Sequence, residues 1–256
     1  MWHLELEHYI TDFPLYKQAQ FSGYKKTPKL ISMAQKTSTE LRDYLFEFIS
    51  ENKQNLFNTI IENRTRHLTV VLENIYQPHN ASAVLRSCDL FGVQDVHIIE
   101  NTNEYTLSDQ VAMGSSKWLT LKKYNEEKEN TLACFDALRK EGYRIVATTP
   151  HTKDVMLADL PLDQKTALVF GTELTGLSDV AMENADAYVK IPMYGFTESF
   201  NISVSAALSL YQLSENLRKS EIAWQLRNEE KIDIQIAWAM NVIKKSGLIV
   251  EDFLGK

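Results

Sequence analysis

Between Leu68 and Lys219 the chain alternates short β-branched runs with amphipathic stretches of helical period, and this rhythm restricts the fold more than any other feature. Leu68 to Leu72 (LTVVL) is a short β-branched run, the pattern of a strand buried on both faces. Similar runs fall at Val96–Ile99, Trp118–Leu121, Arg144–Thr148, Ala167–Phe170 and Tyr188–Ile191. Helical spacing appears between them. Ala81, Val84, Leu85 and Cys88 share one face up to Gly92, and Leu132, Phe135 and Leu138 share another up to Gly142. Asn80, Asn130, Ser178 and, for a brief helix, Ser108 stand at N-cap positions. Val204, Ala207, Leu208 and Tyr211 mark a strong helix from Ser203 to about Lys219. Such alternation predicts an α/β fold, a mostly parallel sheet with helices on both faces.

The flanks read as helical additions. Thr37 and Glu40 have capping-box spacing, which predicts a helix start at Thr37 that carries Leu41, Tyr44, Leu45, Phe48 and Ile49. A second helix follows through Leu56, Phe57, Ile60 and Ile61, and a last one spans roughly Asp233 to Lys245. The expected division is an N-terminal extension over 1–50, a central domain over 51–220 and a C-terminal helical extension over 221–256.

Composition bounds the setting. No apolar run is long enough to span a bilayer, and the start, MWHLELEHYITDF, lacks a basic lead followed by an apolar block. Cys88 and Cys134 sit in apolar helical contexts, as buried free thiols do, and a cytoplasmic protein is expected. With 27 basic and 34 acidic residues the net charge is −7, which taken alone disfavours a polyanionic partner. The sum hides asymmetry. Phe13 to Thr39 contains no acid, and Lys17, Lys25, Lys26, Lys29 and Lys36 give it +5; Arg64 and Arg66 form a second small cluster.

Several common chemistries are missing. No G-x-G-x-x-G turn follows the first strand, no H-E-x-x-H pair exists, and two distant cysteines make no zinc site. Gly171 and Gly176 have P-loop spacing, but Leu177 stands where a lysine is needed. There is no G-x-S-x-G elbow. What remains are three polar clusters at strand ends, the edge where open α/β sheets bind ligands. NIYQPHNASAVLR carries His79, Asn80 and Arg86; GTELTG carries Gly171, Glu173 and Gly176; IPMYGFTESFNISVSAA carries Glu198, Ser199 and Asn201. Each residue also has an ordinary role open to it. Asn80 can be only an N-cap, Arg86 a solvated side chain, Glu173 a cap for the next helix, and Ser199 or Asn201 caps for the helix near Ser203.

Taken in order, N-x-x-x-x-x-R, G-x-E-x-x-G and I-P-M…S-x-N-x-S resemble the SpoU, or TrmH, branch of the SPOUT RNA methyltransferases, from about Asn52 to Lys219. PHNASAVLRSCDLFGV and GTELTGLS fit best those members that methylate a guanosine 2′-hydroxyl of tRNA. The resemblance implies a C-terminal deep trefoil knot, a homodimer, and S-adenosylmethionine as methyl donor with no metal. Thr148, Gly171, Ile191, Met193 and Phe200 would line the donor pocket. Arg86, Asn80, Glu173, Ser199 and Asn201 would form the catalytic set: Arg86 as electrostatic activator of the ribose oxygen, Asn80 orienting it, and Glu173 fixing its turn through backbone N–H groups and helping to place Asn201. Expected RNA contacts are His79, Lys25, Lys26, Lys29, Arg64, Arg66 and Lys117, with tRNA, at the guanosine of its D-loop, as substrate. The same chemistry on ribosomal RNA, or an RNA-binding module of this fold without turnover, stays open.

Overall fold

The computed structural model describes residues 28–102, 114–150 and 155–254, with the side chains of 28–36 left aside. It divides into two compact units, one over Glu62–Leu226 and one built from the helices before and after it. The first helix, α1, is Pro28–Phe46, and α2 is Glu51–Ile61. Thr37 therefore lies inside α1 and does not begin it. Capping-box spacing also arises by chance within a helix, and nothing after Pro28 breaks the turn. The expected cap at Ser108 lies outside the described residues.

The larger unit follows the alternation. In chain order come β1 (Leu68–Glu73), α3 (Pro78–Leu90), β2 (Asp95–Ile99), a 3-10 turn at Ser115–Trp118, β3 (Thr120–Tyr124), α4 (Thr131–Lys140), β4 (Arg144–Thr148) and the two-residue β5 (Val155–Met156). Then follow β6 (Thr166–Phe170), α5 (Asp179–Glu183), β7 (Ala187–Lys190) and α6 (Ile202–Lys219). The seven strands pair in the order β3-β2-β1-β6-β4-β7-β5, every pair parallel. The strand expected from Trp118 begins at Thr120 instead, because the residues before it are wound into the 3-10 turn.

Side-chain alternation sorts the core into two layers. Leu68, Val70 and Leu72 of β1 face Val84, Leu85 and Cys88 of α3 and Ala206, Leu210 and Leu213 of α6. Val71 points the other way, among Cys134, Phe135 and Leu138 of α4 and Ala181 of α5. Helices thus cover both faces, and both cysteines are buried thiols. Because β6 lies between β1 and β4, the chain reverses its winding direction there, and the carboxyl ends of β1 and β6 lie side by side, the place where open α/β sheets bind ligands.

In the smaller unit α7 (Asn228–Val242) packs against α1 and α2, and α8 (Ser246–Leu254) packs against α1. Phe57 meets the Trp238 ring edge-on at 5.4 Å, and Arg42 Nη1 donates to Gln235 Oε1 at 2.9 Å. Only one helix was expected after Asp233; α7 stops at Val242 with Ile243 extended (ψ 122°), and Lys245, at φ 58°, lies between it and α8. No helix among the described residues is long and apolar enough to cross a membrane.

Candidate active site

Leu72 of β1 pairs with Phe170 of β6, so the segments that leave these two strands emerge as neighbours. After β1 the chain reaches Gln77, whose extended backbone (φ −89°, ψ 115°) caps α3, and Pro78 takes the first helical position. Asn80 is therefore not the N-cap. Proline lacks the N–H that the first turn would leave unpaired and its φ already suits a helix, so the helix begins three residues earlier than the asparagine signal suggested. Asn80 is freed for another task. It is 8% exposed, its Nδ2 donates to Gln77 Oε1 at 3.1 Å, and its Oδ1 accepts from Asn201 Nδ2 at 3.2 Å.

After β6 the GTELTG segment folds back on itself. Thr172 and Gly176 exchange both backbone hydrogen bonds, at 2.9 and 3.0 Å, and Thr175 N donates to Thr172 Oγ1 at 3.1 Å. Gly176 supplies a φ of +70°, and Gly171 passes so close to Gly176 that a Cβ there would lie 2.2 Å from its carbonyl. Glu173 was expected to fix this turn through backbone N–H groups; the two threonines and two glycines do that instead. Its carboxylate Oε1 accepts from Asn201 Nδ2. Nor does it cap α5, which Ser178 caps by accepting from Ala181 N at 3.1 Å.

Asn201 joins the two segments. It is the N-cap of α6, its Oδ1 accepting from Ser203 N at 2.8 Å and from Ser203 Oγ. A backbone N–H can only donate, so the amide oxygen is fixed toward the helix and the NH2 toward Asn80 and Glu173. The bland role for Asn201 and the functional one thus use opposite ends of one amide. Asn80, Glu173 and Asn201, 121 residues apart at their widest, form one hydrogen-bonded cluster.

Arg86 lies further along α3, exposed, in an open groove that it lines with Ala83, Ser87, Leu90, Ser203, Val204, Ala207, Leu208 and Tyr211. Ser203 belongs to both the groove and the Asn201 cap, so Arg86 borders the amide cluster. Ser199 is exposed on the 191–201 segment that leads into α6. The expected donor-pocket residues gather at adjacent strand ends: Thr148 closes β4, Gly171 follows β6, and Ile191 and Met193 follow β7, with β4 in the middle of the three. All four are half-buried, whereas Phe200 is exposed. Thr148 Oγ1 donates to Val169 O at 2.8 Å.

Burial removes one expected RNA contact, Arg64, and a second, Arg66, is half-buried in an ion pair. Arg64 is 2% exposed and pairs with Asp89, while Arg66 Nε pairs with the buried Asp95 at 3.1 Å. Burial pulls the Arg64 guanidinium below its ordinary pKa, against the pull of Asp89. Their acids lie 25 and 29 residues downstream, a tertiary pairing no local pattern announces. His79 and Lys117 are exposed. Lys25, Lys26 and the Lys29 side chain lie outside the described residues. Two residues went unnoticed: Gln77, which holds the Asn80 amide, and Glu73, buried at the end of β1, where an acid closing an apolar strand was the available signal. Among the described residues no group of three His, Cys, Asp or Glu could hold a metal ion.

The comparisons with known proteins agree with this geometry. The model of the SpoU rRNA Methylase family matches residues 67–211, which contain the whole cluster and Arg86. A tRNA (guanosine(18)-2′-O)-methyltransferase of Borreliella burgdorferi is 44% identical over 200 residues, 78% of this chain and 90% of that protein. One of the same description from Thermus thermophilus is 32% identical over 171 residues, 67% of this chain and 86% of its own. Among solved structures, the A. aeolicus TrmH/SpoU tRNA modifying enzyme superposes with a TM-score of 0.67 at 30% identity, over 76% of this chain and 98% of that one. With the strand ends, the amide cluster and the matched span in one place, the chain belongs to the SpoU methylase family.

Proposed function

We propose that the protein methylates a ribose 2′-hydroxyl of tRNA, the guanosine at position 18 of the D-loop, with S-adenosylmethionine as donor. The observation that carries this reading is the Asn80–Asn201–Glu173 cluster, built at the ligand-binding edge from three distant segments with an exposed arginine beside it. Relatives named for this activity share 44% and 32% of their residues with the chain over most of their length.

The residues present fit the donor. Thr148, Gly171, Ile191 and Met193 cluster at three neighbouring strand ends, half-buried and mostly without charged side chains, so backbone groups are the polar contacts left for an adenosine. Phe200 would wall the same pocket. When bound, the donor supplies an electrophilic methyl on a sulfonium. The chain must position the ribose and ease loss of its hydroxyl proton. Arg86 places a permanent positive charge where the oxygen becomes negative. A guanidinium is a poor base, so the proton leaves to phosphate or water. Asn80 and Asn201 orient the ribose, Glu173 holds the Asn201 amide, and Ser199 contacts donor and substrate.

Two finer features belong to the same proposal. The polypeptide after β6 is threaded into a trefoil knot, and two copies associate as a homodimer. The groove between α3 and α6 is the surface that supports the dimer reading: Leu90, Val204, Leu208 and Tyr211 are exposed side by side along it. Lysines of the 1–50 segment serve as an RNA-contacting arm, and the cytoplasm, where two thiols stay reduced, is the setting. The test is methyl transfer from labelled donor to unmodified tRNA transcripts, followed by mass mapping of the ribose. Label at guanosine 18 is expected. Label in ribosomal fragments alone, or none in any RNA, overturns the proposal.

A further inference from the structure

Glu73 ends β1 at 1% exposure, and no cation pairs with it among the described residues. A carboxylate in that position needs strong hydrogen bonds to replace its water. Three do. Oε1 accepts from Thr131 Oγ1 and from Ser178 Oγ, each at 2.7 Å, and Oε2 accepts from Ser178 N at 2.8 Å. Three donors converging on one side chain demand a group that only accepts. A glutamine would turn its NH2 toward one of them, and an apolar residue would leave all three unpaired.

The direction of these bonds gives the carboxylate a purpose. Two of the three end on Ser178, the N-cap of α5 and the residue that terminates the turn after β6. At its other end the turn is clamped by the close approach of Gly171 to Gly176. Between the clamps the tip projects into solvent, with Leu174 95% exposed and Glu173 beside it. The tip makes its hydrogen bond outside the turn at Asn201. An exposed tip is placed only as well as its two bases, and Glu73 is the buried anchor of the second.

Resting on the methyltransferase reading above, we infer that Glu73 is a positioning residue for methyl transfer. It holds Ser178, and thereby the turn, so that Glu173 meets the Asn201 amide. The third bond, to Thr131 in the first turn of α4, braces the carboxylate from the opposite side and does not touch the turn.

The experiment combines kinetics with amide exchange in the full-length protein. Glu73→Gln and Ser178→Ala are expected to lower kcat on tRNA by roughly ten- to a hundredfold, the effect of a misplacement near 1 Å, with KM for tRNA unchanged. Thr131→Val, which removes a donor away from the turn, keeps kcat. In a Glu173→Gln background, Glu73→Gln adds no further loss, since its effect passes through Glu173. Exchange of the 172–178 amides quickens in Glu73→Gln while that of β1 and β6 does not. Should Glu73→Gln fail to fold, Glu73→Asp and Ser178→Ala carry the same expectations. Wild-type kcat in Glu73→Gln, additive losses in the double variant, or unchanged turn exchange overturns the inference. A wild-type protein inactive on tRNA whose turn still loosens in Glu73→Gln removes the assigned activity and leaves the anchor standing.

Discussion

Replacing Gly171 by alanine tests how closely the site depends on its backbone. The new Cβ would lie 2.2 Å from the carbonyl carbon and oxygen of Gly176 and 2.4 Å from Leu177 N. Ordinary contact begins near 3.4 Å, so backbone must move by about 1 Å, and none of the three atoms belongs to a side chain that can swing aside. Two costs follow. Overpacking of this kind destabilises by about 2 kcal/mol, or roughly 6 °C in Tm for a chain of this size. The larger cost is functional, because the atoms displaced belong to the turn that aims Glu173 at Asn201; a misplacement near 1 Å lowers kcat about a hundredfold. Gly176→Ala is the matched control. Its φ of +70° costs an alanine about 1–2 kcal/mol, yet its Cβ meets nothing within 4 Å, so the turn keeps its path. Differential scanning calorimetry and single-turnover methylation separate the two. If Gly171→Ala stays within twofold of wild type in kcat, or if Gly176→Ala is the more impaired catalyst, the turn does not position the chemistry.

Four other outcomes are expected. Arg86→Ala should lower kcat by about 10²–10³ with Tm nearly unchanged, and Arg86→Lys should not restore it, because a point charge lacks the planar fork. Arg64→Met should destabilise by about 3 kcal/mol in urea unfolding, since it leaves Asp89 without its buried partner, while RNA affinity holds. His97 is buried on β2 and its pKa is pushed down to about 3, first by desolvation and then by Lys122. Below pH 6.5 the unfolded chain binds a proton that the folded chain refuses. Stability therefore falls by about 1.4 kcal/mol per pH unit from 6.5 toward 3, and His97→Leu flattens that slope in urea titrations. Neutralising Lys25, Lys26 and Lys29 together should reduce the salt slope of tRNA binding by about two to three; an unchanged slope removes the arm from the interface.

The fold was legible where burial repeats along the chain. Leu68–Leu72 and Ala167–Phe170 are apolar because both sheet faces are covered, and Gly92, at φ 79°, ends α3 as its position announced. The site segments were legible because polar residues and glycine at strand ends have few structural reasons to gather there. What escaped the sequence depends on neighbours brought by folding. A proline two residues upstream displaced the N-cap from Asn80, and Asp89 and Asp95 withdrew Arg64 and Arg66. β5 is two residues long and takes its conformation from pairing with β7, so no period could reveal it. Glu73 shows the same limit from the other side. Its three partners stand 58 and 105 residues away, and only their convergence makes a buried carboxylate sensible.

The withdrawn arginines bear on how an acidic chain reads RNA. Lys122 pairs with Glu141, Lys123 with Glu100 and Arg139 with Asp186, so these cations, like Arg64 and Arg66, have acidic partners within the sheet unit. A net charge of −7 then leaves that unit little with which to hold a phosphate backbone by attraction alone. Recognition must therefore be divided. Under the proposed function, steering and affinity fall to local cations, the Lys17–Lys36 stretch above all, while selection of one ribose falls to the Asn80–Asn201 amides. The Asn80–Asn201 pair suits that second task because amides hydrogen-bond a hydroxyl without preferring one phosphate over the next. A cluster of lysines in the same place would hold any stretch of RNA equally well.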